Sequence, residues 1–323
     1  MLWLTWRQHR VELVSALVLL ALVTVPLVVT GVALHAEYRS SGAAACVAGG
    51  GGTCAGLVEE FVQRHLEWGN RFVWVAFVPA LAGVFVGAPL FAREFEHGTW
   101  RLAVTQTVTR TRWLTIKIAL VGAGVAGVAG LCAVLFTWWR APLDAIGGRM
   151  HTAAFVVSAP SLVSVTLFAF ALGVLAGTAL RRTIPAMVAT LVTYLIVRIA
   201  TEESLRPSYR TPLTRITDPG TGSDAGRLPA TDWTVGSGWI DSAGHRLTKG
   251  EQTDLLHRIY GGSGTAPDDV VEKYLAAHGM RHFTDYHPAG DFWTFQTIES
   301  AAFLGLAAVL LAATVWLVRR RIT

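Results

Sequence analysis

The hydrophobic residues of this chain gather in six long runs, and polar or charged stretches separate each run from the next. A helix needs about 20 apolar residues to cross a bilayer. The runs are unbroken, whereas the strands of a membrane barrel alternate apolar and polar positions. The pattern therefore predicts six transmembrane helices, at residues 13–34, 72–91, 118–138, 155–180, 184–199 and 298–318.

Two of the runs are less regular than the others. The first follows Arg7 and Arg10, as a signal peptide would, but the apolar core of a signal peptide spans only about 7–15 residues. This run is longer, so we predict a helix that is retained. The fifth run is short, and a brief polar step, Arg181 to Thr183, separates it from the fourth. That spacing predicts a helical hairpin.

The short polar segments contain amphipathic elements. Trp3, Trp6 and Arg10 recur at helical spacing beside Arg7, which predicts a short interfacial helix on the inner leaflet. The alternative is a plain basic flank that only sets the topology. Residues 56–68 place their apolar positions on shared faces and predict a second interfacial helix on the outer side.

The largest polar block, residues 200–297, predicts a small folded α+β domain outside the cell. "DWTVGSGWIDSAGHRL" is typical of a β-hairpin. Thr248 and Glu251 form a capping box that starts one helix, and Pro267 and Gly279 bracket another. The predicted class is an all-α membrane protein of six transmembrane helices with this domain between helices five and six. Its units are residues 1–200, 201–297 and 298–323.

Composition and charge support this assignment. Hydrophobic residues make up 52% of the chain and charged residues 15%, whereas an average soluble domain is about a quarter charged. With a cytoplasmic N-terminus, the inside segments hold twelve Lys and Arg residues and the short outside loops hold five. Cytoplasmic loops are rich in Lys and Arg, so we predict a cell-membrane protein with both termini inside. Its basic excess predicts contact with anionic lipid, not with nucleic acid.

Two of the three cysteines fall in the first outside loop. Cys46 and Cys54 flank the glycines of "CVAGGGGTC", which let the loop close, and an exterior compartment permits a disulfide. We predict a Cys46–Cys54 bridge, with two free thiols as the alternative. Cys132 lies inside the third run, where we predict a small packing residue.

Motifs of nucleotide and hydrolase chemistry are missing from the sequence. There is no Walker A sequence, no G-x-S-x-G and no glycine-rich dinucleotide fingerprint. The stretch "HGMRHFTDYH" offers possible metal ligands, but Gly279 should end the helix that would place His278 and His282 on one face. We therefore predict surface residues there, no metal site and no catalytic residue; the candidates are His278, His282, Asp285 and His287.

Ionisable residues avoid the centres of the runs. Those at run ends, where we expect long side chains to reach the headgroups, are Glu12, Arg198, Glu299 and Arg319. A carrier driven by ions usually needs an ionisable group at membrane depth, so the pattern counts against a secondary carrier. Milder polar residues inside the runs predict helix packing, with a substrate path as the alternative; they are Ser158, Ser161, Ser164, Thr193 and Tyr194.

The connector between the second and third runs resembles a known family. "APLFAREFEHGTWRLAVTQTVTRTRWLTIKI" is similar to the signature stretch of type-2 ABC exporter permeases, in which an Arg-Glu pair, a Gly-Thr step and a Thr/Ser-Arg motif follow one another. The matching positions, ahead of Lys117, are Arg93-Glu94, Gly98-Thr99 and Thr109-Arg110. "TWRQHR" and "HPAGDFWTFQTIE" resemble actinobacterial members. The block at 200–297 is larger than the short hairpin of simpler members.

The resemblance implies a non-catalytic permease subunit that a separate ATP-binding subunit, present in two copies, drives by alternating access. The permease would form a homodimer or pair with a sister chain. ATP and Mg²⁺ would bind the partner, and this chain would hold no cofactor. The exported cargo stays open among a drug-like molecule, as in multidrug efflux, a peptide, a lipid and a cell-wall polymer.

The connector would then act as a cytoplasmic coupling helix. Glu94 and Glu96 would pair with basic residues of the ATP-binding subunit, and the aromatic and apolar residues after them would fill its groove. The implied coupling residues are Glu94, Phe95, Glu96, Gly98, Thr99, Trp100, Arg101 and Leu102.

Two other classes of function stay open from the residues alone. One is a membrane-anchored sensor or assembly protein whose extracellular domain binds a ligand; co-purification with an ATPase would reject it. The other is a self-sufficient secondary carrier, which transport without ATP on a proton gradient would support.

Overall fold

A computed structural model describes residues 21, 24–49, 55–71, 73–96, 110–219, 228–260 and 268–321. Several predictions fall outside these residues and stay predictions. They are the N-terminal interfacial helix with Trp3, Trp6, Arg7 and Arg10, the pairing of Cys46 with Cys54, and the coupling residues Gly98, Thr99, Trp100, Arg101 and Leu102.

Five described helices are long and apolar enough to cross a membrane. We label the helices in chain order, beginning with residues 24–40 (α1) and the short helices Ala43–Gly49 (α2) and Ala55–Arg71 (α3). The five long ones are Val75–Glu96 (α4), Arg112–Gly147 (α5), Ala159–Leu180 (α7), Thr183–Ser208 (α8) and Ala289–Arg320 (α11). The remaining short helices are Thr152–Val157 (α6), Lys249–Tyr260 (α9) and Asp268–Ala277 (α10).

The five long helices match the second to sixth apolar runs. The predicted hairpin between the fourth and fifth runs is present, because α7 ends at Leu180, the next residue, Arg181, is left-handed (φ 55°), and α8 starts at Thr183. The fifth run was expected to give a short helix, but α8 continues to Ser208. The added turns contain Arg206, whose side chain is buried. The first run is described only from residue 21 onward, so its crossing stays a prediction.

Helix α7 lies at the centre of the bundle, and glycines let α4 approach it closely. A Cβ atom at Gly173 would lie 2.2 Å from the carbonyl oxygen of Gly83, and one at Gly177 would lie 2.2 Å from that of Ala88. Both helices place two glycines one turn apart, as in the small-xxx-small pattern of membrane helix pairs. The facing stretch of α4, Ala82–Gly87, is a π-helical turn.

The segment before α4 packs on the bundle. Phe61 of α3 is buried and joins Leu27 and Leu34 of α1 and Trp139 of α5 in one cluster. The helix predicted at 56–68 is therefore present as α3, and Phe61 is covered by protein side chains. Cys132 is buried in the same cluster, in keeping with a packing role.

A three-stranded antiparallel sheet lies between α8 and α11. The strands Leu213–Thr217 (β1), Trp233–Ile240 (β2) and Arg281–His287 (β3) are ordered β1-β3-β2. The predicted hairpin at 232–247 is present only as its turn, which an Ile240–Arg246 bridge and backbone hydrogen bonds such as Leu247 N–H to the Trp239 carbonyl oxygen close. Its first strand, β2, pairs along its length with β3. The chain cannot return as a strand, because a capping box starts α9 directly afterwards.

The two predicted helices of this block are confirmed. The Thr248 backbone N–H donates to Glu251 Oε2 at 2.7 Å, and the Glu251 N–H donates to Thr248 Oγ1 at 3.4 Å, so the predicted capping box is formed. Helix α10 ends at Ala277, just before Gly279, which has a φ of +60°. Left-handed backbone of this kind favours glycine.

Aromatic side chains join the sheet to the helices. Phe295 of α11 is fully buried against Met150, Phe155 and Phe292. Its ring also contacts Trp233 of β2, with centroids 6.2 Å apart. Sheet and helices therefore share one apolar cluster at this junction.

Asp285 of β3 makes the main ionic contact of the sheet. Arg246 donates to both of its carboxylate oxygens, at 2.7 and 3.1 Å. Burial alone would raise the pKa of Asp285, but hydrogen bonds from Arg246 and Thr214, together with the Arg246 charge, hold that pKa below its ordinary value of 3.8. A carboxylate with a lowered pKa stabilises the fold above its unfolded-state pKa, and this stabilisation is lost as the pH falls through the folded-state pKa.

We therefore expect Asp285→Asn to lower the unfolding free energy of the full chain at neutral pH by about 1 kcal/mol, a small value because Arg246 is half exposed. The difference from wild type should close as the pH falls well below 3.8. Thermal unfolding in detergent at neutral and acidic pH measures both effects. Asp254→Asn, at an exposed position of α9, is the control. A deficit of equal size at every pH would contradict the ionic explanation.

Candidate functional site

Polar clusters mark the two ends of the bundle. We call the end where α4, α7 and α11 finish the basic end, because its described residues include Arg93, Arg112, Lys117, Arg181, Arg182, Arg319 and Arg320. The opposite end, where the sheet joins α8 and α11, is called the junction end. Each end brings together side chains from helices that are distant in sequence.

At the basic end, Lys117 fixes the last turn of α4 to the first turns of α5. Its Nζ forms an ion pair with Glu94 and donates to the Leu90 carbonyl oxygen at 3.3 Å. The same ammonium lies 5.1 Å from the ring centroid of Phe91 and 5.2 Å from that of Trp113. Ammonium groups at this distance are attracted to aromatic faces. Both charged side chains are partly buried, which shields the pair from water.

The last residues of α4 also contact the loop between α7 and α8. Glu96 Oε2 accepts hydrogen bonds from the Thr183 backbone N–H at 3.2 Å and from its hydroxyl at 2.7 Å. The guanidinium of Arg181 lies 5.6 Å from the ring centroid of Phe95. The end of α4 is therefore fixed to α5 on one side and to the α7–α8 loop on the other. The connector at 97–109 directly follows Glu96, which Thr183 holds, and precedes α5, which Lys117 fixes to α4.

At the junction end, one fully buried carboxylate joins three helical segments. Glu299 of α11 accepts from Arg198 Nη1 at 2.9 Å, and from Arg206 Nε at 2.8 Å and Nη2 at 2.9 Å. The hydroxyl of Ser161 on α7 donates to it at 3.2 Å. The Arg206 guanidinium lies 4.3 Å from the ring centroid of Phe155. Such a site satisfies the buried carboxylate with several donors, as burial of a charge requires.

A family model described as "ABC-2 membrane transporter related" matches residues 17–206, which is more than half of the chain. The chain belongs to this ABC-2-related family. No curated protein and no solved structure matches it. The family match supports a membrane permease component that works with an ABC ATP-binding subunit.

The matched range of this ABC-2-related permease includes the basic end of α4 and α5 and all of α7. It stops at Arg206, so the sheet and α11, which supplies Glu299, lie beyond it. The resemblance drawn from the connector is thus confirmed at the level of the family. In the charge cluster at the junction end, Arg198 and Arg206 lie within the range matched by the family model, and Glu299 lies beyond it.

One interpretation of the span ends is wrong. Arg198 and Glu299 were expected to reach the headgroups, yet Glu299 is fully buried and Arg198 is nearly so. Glu299 pairs with both Arg198 and Arg206, because α8 continues past its apolar run and brings Arg206 to α11. Arg319 is exposed, and Glu12 lies outside the described residues.

The five residues of the possible substrate path do not share one surface. Ser158, Ser161 and Ser164 are buried, whereas Thr193 is exposed. The backbone N–H of Ser161 donates to Gln296 of α11 at 3.1 Å, so the serine row packs toward that helix. The buried Tyr194 of α8 also lines a groove at the junction end, described below.

Most of the histidine-rich stretch, from Arg281 onward, forms strand β3, and the predicted surface position is wrong for His287, which is buried in the aromatic cluster. Its side chains are used in packing: His282 lies edge-on to Trp239, Asp285 pairs with Arg246, and His287 contacts the Pro207 carbonyl oxygen at 3.0 Å. Among the described residues, no group of three or more His, Cys, Asp or Glu is arranged to hold a metal ion.

Proposed function

We propose that this ABC-2-related protein is the permease subunit of an ATP-driven exporter. The observation that carries the proposal is the fixed end of α4 at the basic end, which connects the 97–109 connector to three further crossings. A partner that moved the connector would move Glu94 and Glu96 with it. Their contacts with Lys117 and Thr183 would pass that displacement to α5 and to the α7–α8 hairpin.

The internal contacts of Glu94 and Glu96 change the role we propose for them. Glu94 forms an ion pair with Lys117, and Glu96 accepts hydrogen bonds from Thr183. We therefore propose that both carboxylates hold the start of the connector and do not pair with the partner. The residues we propose for the partner's groove are Trp100 and Leu102, with Gly98, Thr99 and Arg101 beside them. Large aromatic residues dominate the binding energy of many interfaces.

The assembly we propose is a homodimer of this permease with two ATP-binding subunits. ATP and Mg²⁺ bound by the partner would supply the free energy, and this chain would hold no cofactor and perform no chemistry. The basic end would face the cytoplasm of the cell membrane, since Lys and Arg are enriched on that side. The sheet would then lie outside the cell.

The first test is co-purification of the full-length chain with its ATP-binding partner. We expect Trp100→Ala to lower recovery of the partner roughly 10-fold or more, because truncating an aromatic anchor at an interface removes about 2 kcal/mol. Glu94→Gln should retain the partner while lowering the ATP hydrolysis that the assembled complex shows. Quantitative mass spectrometry and a phosphate-release assay give the two measurements.

Trp293→Ala is the matched control, because Trp293 is an exposed tryptophan at the junction end. It should leave both recovery and hydrolysis unchanged. Full recovery of the partner with Trp100→Ala would remove the docking proposal. Wild-type protein that purifies without any ATP-binding subunit, and that transports without ATP, would remove the proposed function as a whole.

A further inference from the structure

A groove of about 410 Å³ opens at the junction end, between the start of α4, the end of α5, α6 and the end of α8. Pockets that hold small ligands in proteins have volumes of roughly 300–1,000 Å³. Most of its lining is apolar. Phe77 and Ile199 form part of its wall and are 55% and 59% exposed, so the groove opens at the side of the helix bundle.

The lining of the groove changes from apolar to charged along the helices. On α8, Tyr194, Arg198 and Glu202 follow one another at four-residue spacing, which is a rise of about 6 Å per step. On α5, Phe136 is followed one turn later by Arg140, nearer the end of the helix. The floor of the groove is therefore apolar, and its rim carries the charges.

The rim offers both signs of charge. Arg140 donates from Nε to Asp144 at 3.1 Å. Arg198 Nη2 lies 2.5 Å from Glu202 Oε1, and the Glu202 side chain is 26% exposed. A carboxylate and a guanidinium thus stand at the same rim, above an apolar floor.

We propose that this groove binds a zwitterionic lipid of the phosphatidylethanolamine type. The acyl chain lies against Phe136 and Leu195, the phosphate meets Arg140, and the ammonium meets Glu202. The rim is balanced in charge, because Arg140 pairs with Asp144 and Arg198 pairs with Glu202. A purely anionic headgroup would add unmatched negative charge beside Glu202, and an uncharged one would make no ionic contact; complementary charge gives specificity of this kind. The lateral opening lets the lipid enter from the bilayer. Binding requires only the permease and is independent of the ATP-binding partner.

The test uses the purified full-length chain in detergent, titrated with dioctanoyl phosphatidylethanolamine and followed by native mass spectrometry. We expect Glu202→Gln to weaken binding about 10-fold, as loss of one charge-assisted contact does. Leu195→Trp, which fills the floor from a partly exposed position, should abolish binding. Glu203→Gln changes the adjacent exposed carboxylate, which does not line the groove, and should bind as wild type does.

Three results would overturn the proposal. One is equal affinity of wild type, Glu202→Gln and Leu195→Trp for the probe. Another is equal binding of dioctanoylglycerol, which lacks the headgroup charges. The third is tighter binding of dioctanoyl phosphatidylglycerol, which would make the site anion-selective. Thermal unfolding of each variant shows that the comparison is made on folded protein, and Leu195→Trp keeps the proposal testable should Glu202→Gln unfold.

Discussion

Replacing Glu299 with glutamine should lower the unfolding free energy of the protein by about 3–5 kcal/mol, the range seen when one partner of a buried ion pair is removed. Glutamine keeps the shape of the fully buried side chain but removes its negative charge. Two guanidinium groups, from Arg198 and Arg206, would then contact a neutral amide. Burying charge without a counter-charge is unfavourable. Thermal unfolding in detergent, followed by tryptophan fluorescence, measures the loss.

Glu272→Gln is the matched control, because Glu272 is an exposed carboxylate on α10, and its melting temperature should equal that of wild type. Adding Arg206→Met to Glu299→Gln removes the guanidinium that loses its counter-charge, since Arg198 keeps its contact with Glu202. The double variant should therefore be more stable than the sum of the two single losses predicts, as expected for residues of one network. Strict additivity, or wild-type stability of Glu299→Gln, would contradict the role assigned to the cluster.

Gly173→Ala should separate α4 from α7 and lower the melting temperature of the protein. The added Cβ would lie 2.2 Å from the Gly83 carbonyl oxygen and 2.7 Å from the Ala88 nitrogen. Both neighbours are backbone atoms, so no side chain can rotate away. Overpacking costs about 1–3 kcal/mol in a well-packed core, and we expect the upper part of that range.

Gly127→Ala in α5 is the control for this substitution, because a Cβ there meets nothing within 4 Å. Alanine favours a helix over glycine by about 1 kcal/mol, so this variant should be unchanged or slightly more stable. Melting temperatures of both variants in the same detergent give the comparison. Equal melting temperatures for the two alanine variants would show that α4 and α7 have room between them.

The crossing helices could be predicted because length and hydropathy are local properties. The apolar runs gave α4, α5, α7, α8 and α11, and the capping box of Thr248 and Glu251 gave the start of α9. In the same way, the connector residues pointed to the family without any knowledge of the fold.

The buried charge cluster could not be predicted, because it depends on pairing between distant segments. Arg206 lies 93 residues from Glu299 in the chain, and it follows the apolar run whose last residue was the predicted end of α8. Strand β3 was missed for a related reason. Its histidines drew attention to metal binding, while its partners β1 and β2 lie far away in the sequence.

The close contact between α4 and α7 could be predicted from the sequence only in part. Gly83 and Gly87, and likewise Gly173 and Gly177, stand at the spacing of a small-xxx-small pair. Such a spacing predicts that another helix can pack closely against this one, but it does not identify which helix that is. Only the fold shows that the two pairs face each other.

The central strand of the sheet runs almost directly into the last crossing. Only Pro288 lies between His287, the last residue of β3, and α11, whose first turn, Ala289–Asp291, is 3₁₀. The first strand follows α8 after a similarly brief turn. A torque applied to the sheet, for instance by a ligand binding on one edge, would therefore be delivered to α8 and α11 together. Both connections are only a few residues long, so neither contains a flexible linker that would uncouple the sheet from the helices.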